Sequence, residues 1–235
     1  RPVPLELEYS VESIEELLTR LVGQDKAPVY VVHFSQKEAV ERATSLLSVD
    51  LGLTKARKAE VVEAIGDFRF GPGFGATLSK LLRSGIGVHH AGMLPRYRRL
   101  VERLARAGLL SVISGTDTLG GGINVPIRSV VMTSLVKFDG AKERHLTARE
   151  FHQVAGRAGR AGFDTRGYVT VQAPEHVILN AKALAKAGDD ERKRRKIVRK
   201  KAPEGRVNWT DKTFERLRDA APETLTSQFQ ITTTM

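Results

Sequence analysis

Short apolar, β-branched runs alternate with amphipathic helical stretches along most of this chain, and that alternation restricts the fold more than any other feature. The run Pro28-Val29-Tyr30-Val31-Val32-His33-Phe34 is almost continuously apolar, as a strand covered on both faces of a sheet must be. Similar runs recur at Ile86-Gly87-Val88, at Leu109-Leu110-Ser111-Val112-Ile113, over 128–133 and over 167–172. Helical patterns separate them. Ile14, Leu17, Leu18 and Leu21 recur at i, i+3, i+4 and i+7, with Ser10 as candidate cap and Gly23 as the stop. Ser35 and Glu38 have capping-box spacing and open a helix to about residue 47. Further helices are expected over 54–65, 94–107 (closed by Gly108), 175–187 and 209–220, with 71–75 too glycine-rich to be anything but a loop. Strands joined by helices at this pitch predict an α/β fold: a parallel sheet with helices on both faces. Ligands on such sheets sit beyond the carboxyl ends of the strands.

Thr147-Ala148-Arg149-Glu150 reads as a capping box opening another helix. On it Gln153, Arg157 and Arg160 fall at i, i+4 and i+7 and would share one face, projecting from its middle and end. Two planar cations so placed suit phosphate. Gly156 and Gly159 weaken the helix by about 1 kcal/mol each relative to Ala. Their presence predicts close approach of something large, a phosphate chain or a second domain. Arginines at this spacing also occur on solvated helix faces, so the motif alone does not decide.

The segment from Ser114 to Pro126 leaves the carboxyl end of the 109–113 strand. Gly115 and Thr116 offer backbone N–H groups and a hydroxyl to a phosphate. Gly120, Gly121 and Gly122 permit close backbone approach, and Asn124 offers an amide to a sugar hydroxyl. A flexible surface loop would have the same composition.

With 235 residues, 41% of them hydrophobic, the chain can bury one substantial core plus an appendage, or two small domains. The absence of cysteine excludes disulfides, thiolate nucleophiles and thiolate metal sites, and is compatible with an intracellular setting. No apolar run approaches the roughly 20 residues of a membrane span, so no membrane association is expected. Lys and Arg outnumber Asp and Glu by 38 to 27, a formal +11 that favours a polyanionic partner. Eight of the ten residues over 192–201 are cationic, consistent with a nucleic-acid groove or with a solvated hairpin or linker. Trp209 and Phe214 are expected in core packing. Adjacent His89 and His90 point apart without a Cys or HxxxH companion, so no metal site is expected. The start at Arg1-Pro2-Val3-Pro4, without an initiator Met, suggests a segment of a longer protein.

Three elements stand in order along the chain: Gly85-Ile86-Gly87-Val88-His89-His90-Ala91-Gly92-Met93-Leu94-Pro95, the run from Gly115-Thr116-Asp117-Thr118 to Pro126, and Gln153 to Arg160. Together they resemble the second RecA-like domain of superfamily 2 helicases of the superkiller-like branch, over about residues 28–175. The resemblance implies a RecA-like sheet and an ATP-dependent DNA or RNA helicase. Gln153, Arg157 and Arg160 match its motif VI, in which the arginines reach the ATP γ-phosphate and the last is the arginine finger. Gly115, Thr116 and Asp117 match the strand-binding start of motif V. Gly122 and Asn124 match its end, close to the nucleotide, although many relatives carry Asp where Asn124 stands. Ser35 falls in motif IV, facing the bound strand, and is equally an N-cap. His90 and Gly92 belong to a branch motif near the nucleic-acid path. No phosphate-binding Gly-x-x-x-x-Gly-Lys-Ser/Thr loop and no Asp-Glu box for Mg²⁺ occurs. The resemblance therefore implies a chain inactive alone, completed by the first RecA-like domain, which holds Mg²⁺, and by a winged-helix domain entered from 225–235. The implied organisation is a linker and leading helix over 1–27, the RecA-like domain over 28–180 and a basic helical extension over 181–235. A non-catalytic nucleic-acid-binding RecA-like module, or an ATP-driven translocase that does not unwind, would carry the same motifs.

Overall fold

The computed structural model describes residues 2–117 and 125–221. Gly122, Asn124 and the expected winged-helix entry over 225–235 lie outside the described residues.

The first strand, β1 (Leu5–Ser10), is followed by α1 (Ile14–Gly23), whose buried stripe is Ile14, Leu17, Leu18 and Leu21. Ser13, not Ser10, caps that helix: its hydroxyl accepts from the Glu16 backbone N–H, whereas the Ser10 hydroxyl bonds Glu12. Strand β2 (Val29–His33) is buried throughout and leads into α2 (Gln36–Ser45) through the Ser35 N-cap. Helices α3 (Lys55–Ile65) and α4 (Phe74–Arg83) precede β3 (Ile86–His89), and α5 (Pro95–Arg106) precedes β4 (Val112–Thr116). Beyond β5 (Ser129–Met132), a hairpin of β6 (Val136–Phe138) and β7 (Glu143–His145) leads to α6 (Ala148–Ala155) and β8 (Gly167–Gln172). The chain then continues as α7 (Glu175–Ala187), the short α8 (Glu191–Arg195) and α9 (Asp211–Asp219).

Among the described residues, six strands form one parallel sheet in the order β1-β8-β5-β2-β4-β3, with helices on both faces, a RecA-like architecture. β2 lies inside, between β4 and β5, which is why its Val-Tyr-Val-Val sequence tolerates no polar alternation. Each fully buried side chain there contributes roughly 1.5–3 kcal/mol.

Two differences from the expected organisation follow from packing. Within the expected linker over 1–27, Leu5–Ser10 pairs residue by residue with β8 as the edge strand. The glycine-rich 71–75 segment turns into α4 halfway along: Gly73, at φ +71, is its N-cap, and Gly75 sits so close to Tyr97 that a Cβ would overlap the phenol oxygen.

The C-terminal residues are tied to the opposite end of the chain. Trp209 (6% exposed) and Phe214 (3%) pack in the core, with Tyr9 of β1 6.4 Å from the Trp209 ring and 6.1 Å from the Phe214 ring. Phe214 also lies 6.5 Å from Phe151 of α6. Trp209→Ala is expected to lower unfolding free energy by about 3–5 kcal/mol in urea melts followed by circular dichroism, because a large ring is removed from a site that cannot collapse.

Candidate functional site

The predicted site residues fall into two groups on the sheet. At its carboxyl edge, β4 ends in Gly115 and Thr116, followed by Asp117. His33 of β2 is the register partner of Thr116, so both side chains leave the same face. Each carries a buried polar atom without a hydrogen-bond partner among the described residues: Thr116 Oγ1 and His33 Nε2. Gly115 is required by its neighbour, since a Cβ there would overlap the Tyr30 hydroxyl. That hydroxyl donates to the Thr116 carbonyl at 2.9 Å. Burial, reinforced by the Arg42 charge, pushes His33 down to about 4, leaving a neutral imidazole at pH 7.

Asp117 is drawn into an ion network that periodicity did not reveal. Lys137 of β6 lies 3.2 Å from Asp117 and 3.3 Å from Glu150. Glu150 closes the capping box with Thr147 and receives Arg144 Nη1 at 2.7 Å and Nη2 at 3.1 Å. Those Arg144 bonds, chiefly, hold Glu150 down to about 2. The β6–β7 hairpin thus joins the end of β4 to the start of α6.

The second group differs from its expected geometry. α6 stops at Ala155, so Gln153 projects from it, exposed, while Arg157 and Arg160 lie in the following turn and share no helix face with it. The cause is Gly159, at φ +88, whose N–H donates to the Ile127 carbonyl at 2.9 Å. A Cβ on Gly159 would meet Val3 Cγ1 at 2.7 Å and Gly167 Cα at 3.2 Å. The close approach Gly159 serves is therefore from the leader of β1 and the start of β8, within the chain itself, while Gly156 faces only the carbonyls of its own helix.

Arg157 and Arg160 line an open crevice of about 1040 Å³ with Pro28, Ser111 and Arg128. These neighbours mark the amino ends of β2, β4 and β5, not the carboxyl ends to which the general rule for such sheets pointed. Arg160 binds the buried Asp164 carboxylate in a bidentate pair, Nε and Nη2 each at 2.9 Å. Asp164 is held below the usual carboxylate range chiefly by that bond, and Arg128 lies 3.6 Å from it. The pair is local, yet Arg160 keeps 29% of its side chain exposed on the crevice wall. Phe163, 84% exposed, lies beside the Arg160 guanidinium, an aromatic whose single appearance in the sequence gave no signal. The two groups approach each other through Tyr30: burial raises its phenol, while the Arg157 charge lowers it and Asp117 raises it.

The remaining predicted residues are structurally occupied. Ser35 accepts from the Glu38 backbone N–H at 3.1 Å as an exposed N-cap. His90 Nδ1 accepts from the Gly92 N–H at 3.1 Å, and the end of the Gln36 side chain lies where a Gly92 Cβ would be. His89 Nε2 pairs with Glu102 at 3.0 Å. Among the described residues, no three His, Cys, Asp or Glu side chains cluster to hold a metal ion, and no helix is long and apolar enough to cross a membrane.

The sheet order and these two polar regions define a RecA-like module. A family described as helicase conserved C-terminal domain matches residues 74–162, and a domain of unknown function, DUF3516, matches residues 173–235. Superkiller complex protein 2 of Mus musculus is 37% identical over 182 residues, 72% of this chain and 14% of that protein. Probable helicase HelY of Mycobacterium tuberculosis is 36% identical over 164 residues, 66% of this chain and 18% of that protein. The DExH-box ATP-dependent RNA helicase DExH10 of Arabidopsis thaliana is 35% identical over 176 residues, 71% of this chain and 17% of that protein. The chain is a superfamily 2 helicase-like domain related to the superkiller and HelY helicases, with a C-terminal RecA-like module. It spans less than a fifth of the length of these relatives.

Two measurements test the site's electrostatics. Lys137→Met leaves Asp117 and Glu150 without their shared cation and is expected to cost about 1–2 kcal/mol in denaturant melts. Adding Asp117→Asn should recover part of that loss in a double-mutant cycle. The folded-state pKa of His33, about 4, lies below its ordinary 6.5. The folded chain therefore takes up that proton later than the unfolded one: the stabilisation is full above pH 6.5 and drains away toward pH 4. Between pH 7 and pH 5 His33 should contribute a loss of about 2 kcal/mol, and urea melts of His33→Gln should show a correspondingly flatter pH dependence.

Proposed function

We propose that this chain is the second RecA-like half of an ATP-dependent DNA or RNA helicase, contributing strand contacts on one edge and an arginine finger on another. The observation that carries this reading is the register pair His33 and Thr116: two buried polar atoms without partners among the described residues, side by side at the carboxyl ends of adjacent strands. Buried polar atoms are rarely left unsatisfied, and a phosphodiester strand passing over that edge supplies what they lack. Gly115, Asp117, Ser35, His90 and Gly92 border the same edge in this reading. Gly122 and Asn124, outside the described residues, are assigned to nucleotide binding in this reading.

ATP bound with Mg²⁺ supplies the phosphoryl group whose hydrolysis drives the cycle. Residues of this chain fit the phosphate end of such a ligand, and the metal falls to the first RecA-like domain of the parent protein. Asp164 fixes the plane of the Arg160 guanidinium by occupying Nε and Nη2, leaving Nη1 as the edge able to meet a phosphate. Arg157 adds a second cation on the same crevice wall. Gln153 stands one turn before them and is exposed. In the parent protein the first RecA-like domain closes on this crevice, and a winged-helix domain follows the basic extension over 181–235.

Arg160→Ala in the full-length enzyme is expected to slow ATP hydrolysis by about 10³-fold or more while sparing most single-strand binding, since the finger stabilises transition-state charge alone. Steady-state ATPase rates and oligonucleotide titrations check this together, and unchanged turnover overturns the assignment.

A further inference from the structure

The segment 192–201 holds eight Lys and Arg residues, all exposed. Among the described residues only Arg195 has a carboxylate partner, Glu191 at 3.7 Å, with both side chains more than four-fifths exposed. Cations packed this densely repel one another, and a segment so charged leaves the protein body unless something holds it. Here it is held. The Asn180 side chain of α7 clamps the Lys200 backbone in both directions, donating from Nδ2 to the Lys200 carbonyl at 2.9 Å and accepting the Lys200 N–H on Oδ1 at 2.8 Å. Arg194 Nε donates to the Gly188 carbonyl at 2.6 Å. The clamp secures no core residue, for Val198 within the segment is 87% exposed. What it secures is the position of the charge.

That position adjoins a groove over the carboxyl ends of the strands. Ala202, Pro203 and Arg206, immediately beyond the segment, wall the same groove as His33, and α7 contributes Leu179 and Lys182 beside Asn180. A strand lying over His33 and Thr116 would leave the groove toward the clamped cations. The segment contains no aromatic residue and so offers phosphate neutralisation without base stacking or sequence readout.

We propose that residues 192–201 form a phosphate-tracking surface for single-stranded nucleic acid leaving this groove, which gives a role to part of the region matched by the domain of unknown function. It rests on the helicase reading of the carboxyl edge. The partner is the phosphodiester backbone, in DNA or RNA.

The test is a variant of the 235-residue chain in which five of the eight cations, Arg192, Lys193, Lys196, Arg199 and Lys201, are replaced by Gln. None of these side chains bonds the protein body among the described residues, so the fold is retained. Fluorescence anisotropy with labelled deoxythymidine and uridine oligonucleotides of about 25 nucleotides, across a salt series, reads the outcome. The expected result is binding weakened about tenfold or more and a log–log salt slope shallower by about 3, with the DNA and RNA arms showing which strand is preferred. Thr116→Val is measured alongside. If it weakens binding while the Gln variant matches the unaltered chain in affinity and slope, the surface is overturned and the carboxyl-edge reading stands. If neither variant weakens binding, both fall. If the Gln variant loses only affinity for polyglutamate, the surface serves an acidic protein and the proposal is wrong.

Discussion

Backbone packed directly on backbone at Gly159 and Gly167 is the contact on which the rest of this domain depends. A Cβ on Gly167 would meet the Ala158 carbonyl group and the Gly159 nitrogen at 2.7 Å, while Gly159 itself lies under Val3. The Gly167 N–H donates to the Pro4 carbonyl and the Gly159 N–H to the Ile127 carbonyl, each at 2.9 Å. Four chain segments therefore meet here, the turn after α6 and the start of β8 backbone on backbone, the leader of β1 through Val3 and a hydrogen bond, and the entry to β5 through a hydrogen bond. Such a junction has little room to deform, and it fixes where Arg157 and Arg160 leave the surface. The arginines are positioned by sheet architecture, and the helix that precedes them ends before reaching either one.

A comparable economy appears at the carboxyl edge, where a single ammonium group does the joining. Lys137 sits between Asp117, at the end of β4, and Glu150, which caps α6, and Arg144 grips Glu150 from the other strand of the hairpin. These side chains are only 18–31% exposed, which removes them from much of the solvent screening that makes surface ion pairs weak. Removing the lysine would set two carboxylates against each other, so the network fixes the register of the hairpin as well as the cap of the helix.

The sheet was legible in the sequence because its inner strands are buried on both faces, and a run such as Val-Tyr-Val-Val has no other stable use. Capping chemistry was equally legible at Thr147–Glu150, where two side chains within four residues decide the geometry locally. β1 was not, since Leu-Glu-Leu-Glu-Tyr-Ser at a sheet edge owes its form to β8, more than 150 residues away. β6 and β7, three residues each, carry too few positions to show a period. The face shared by Gln153, Arg157 and Arg160 was inferred from helical spacing. The two glycines within that spacing were themselves the sign that the helix would break. The residue types of the site were thus readable, while their grouping into a carboxyl edge and an amino-end crevice needed the tertiary contacts.

Tyr30 anchors the end of β4 and senses charge from both regions. Its phenol donates to the Thr116 carbonyl and feels the Arg157 charge, while its backbone lies in the strand between β4 and β5. Gly115 leaves room for that ring and for nothing else. A shift of the end of β4 would have to be taken up by a close-packed ring bonded to its last residue. Interiors packed to this density pass on a displacement in preference to absorbing it. Geometry of this kind ties the end of β4 to the interior of β2 without any hinge between them, so the two strands move as a unit.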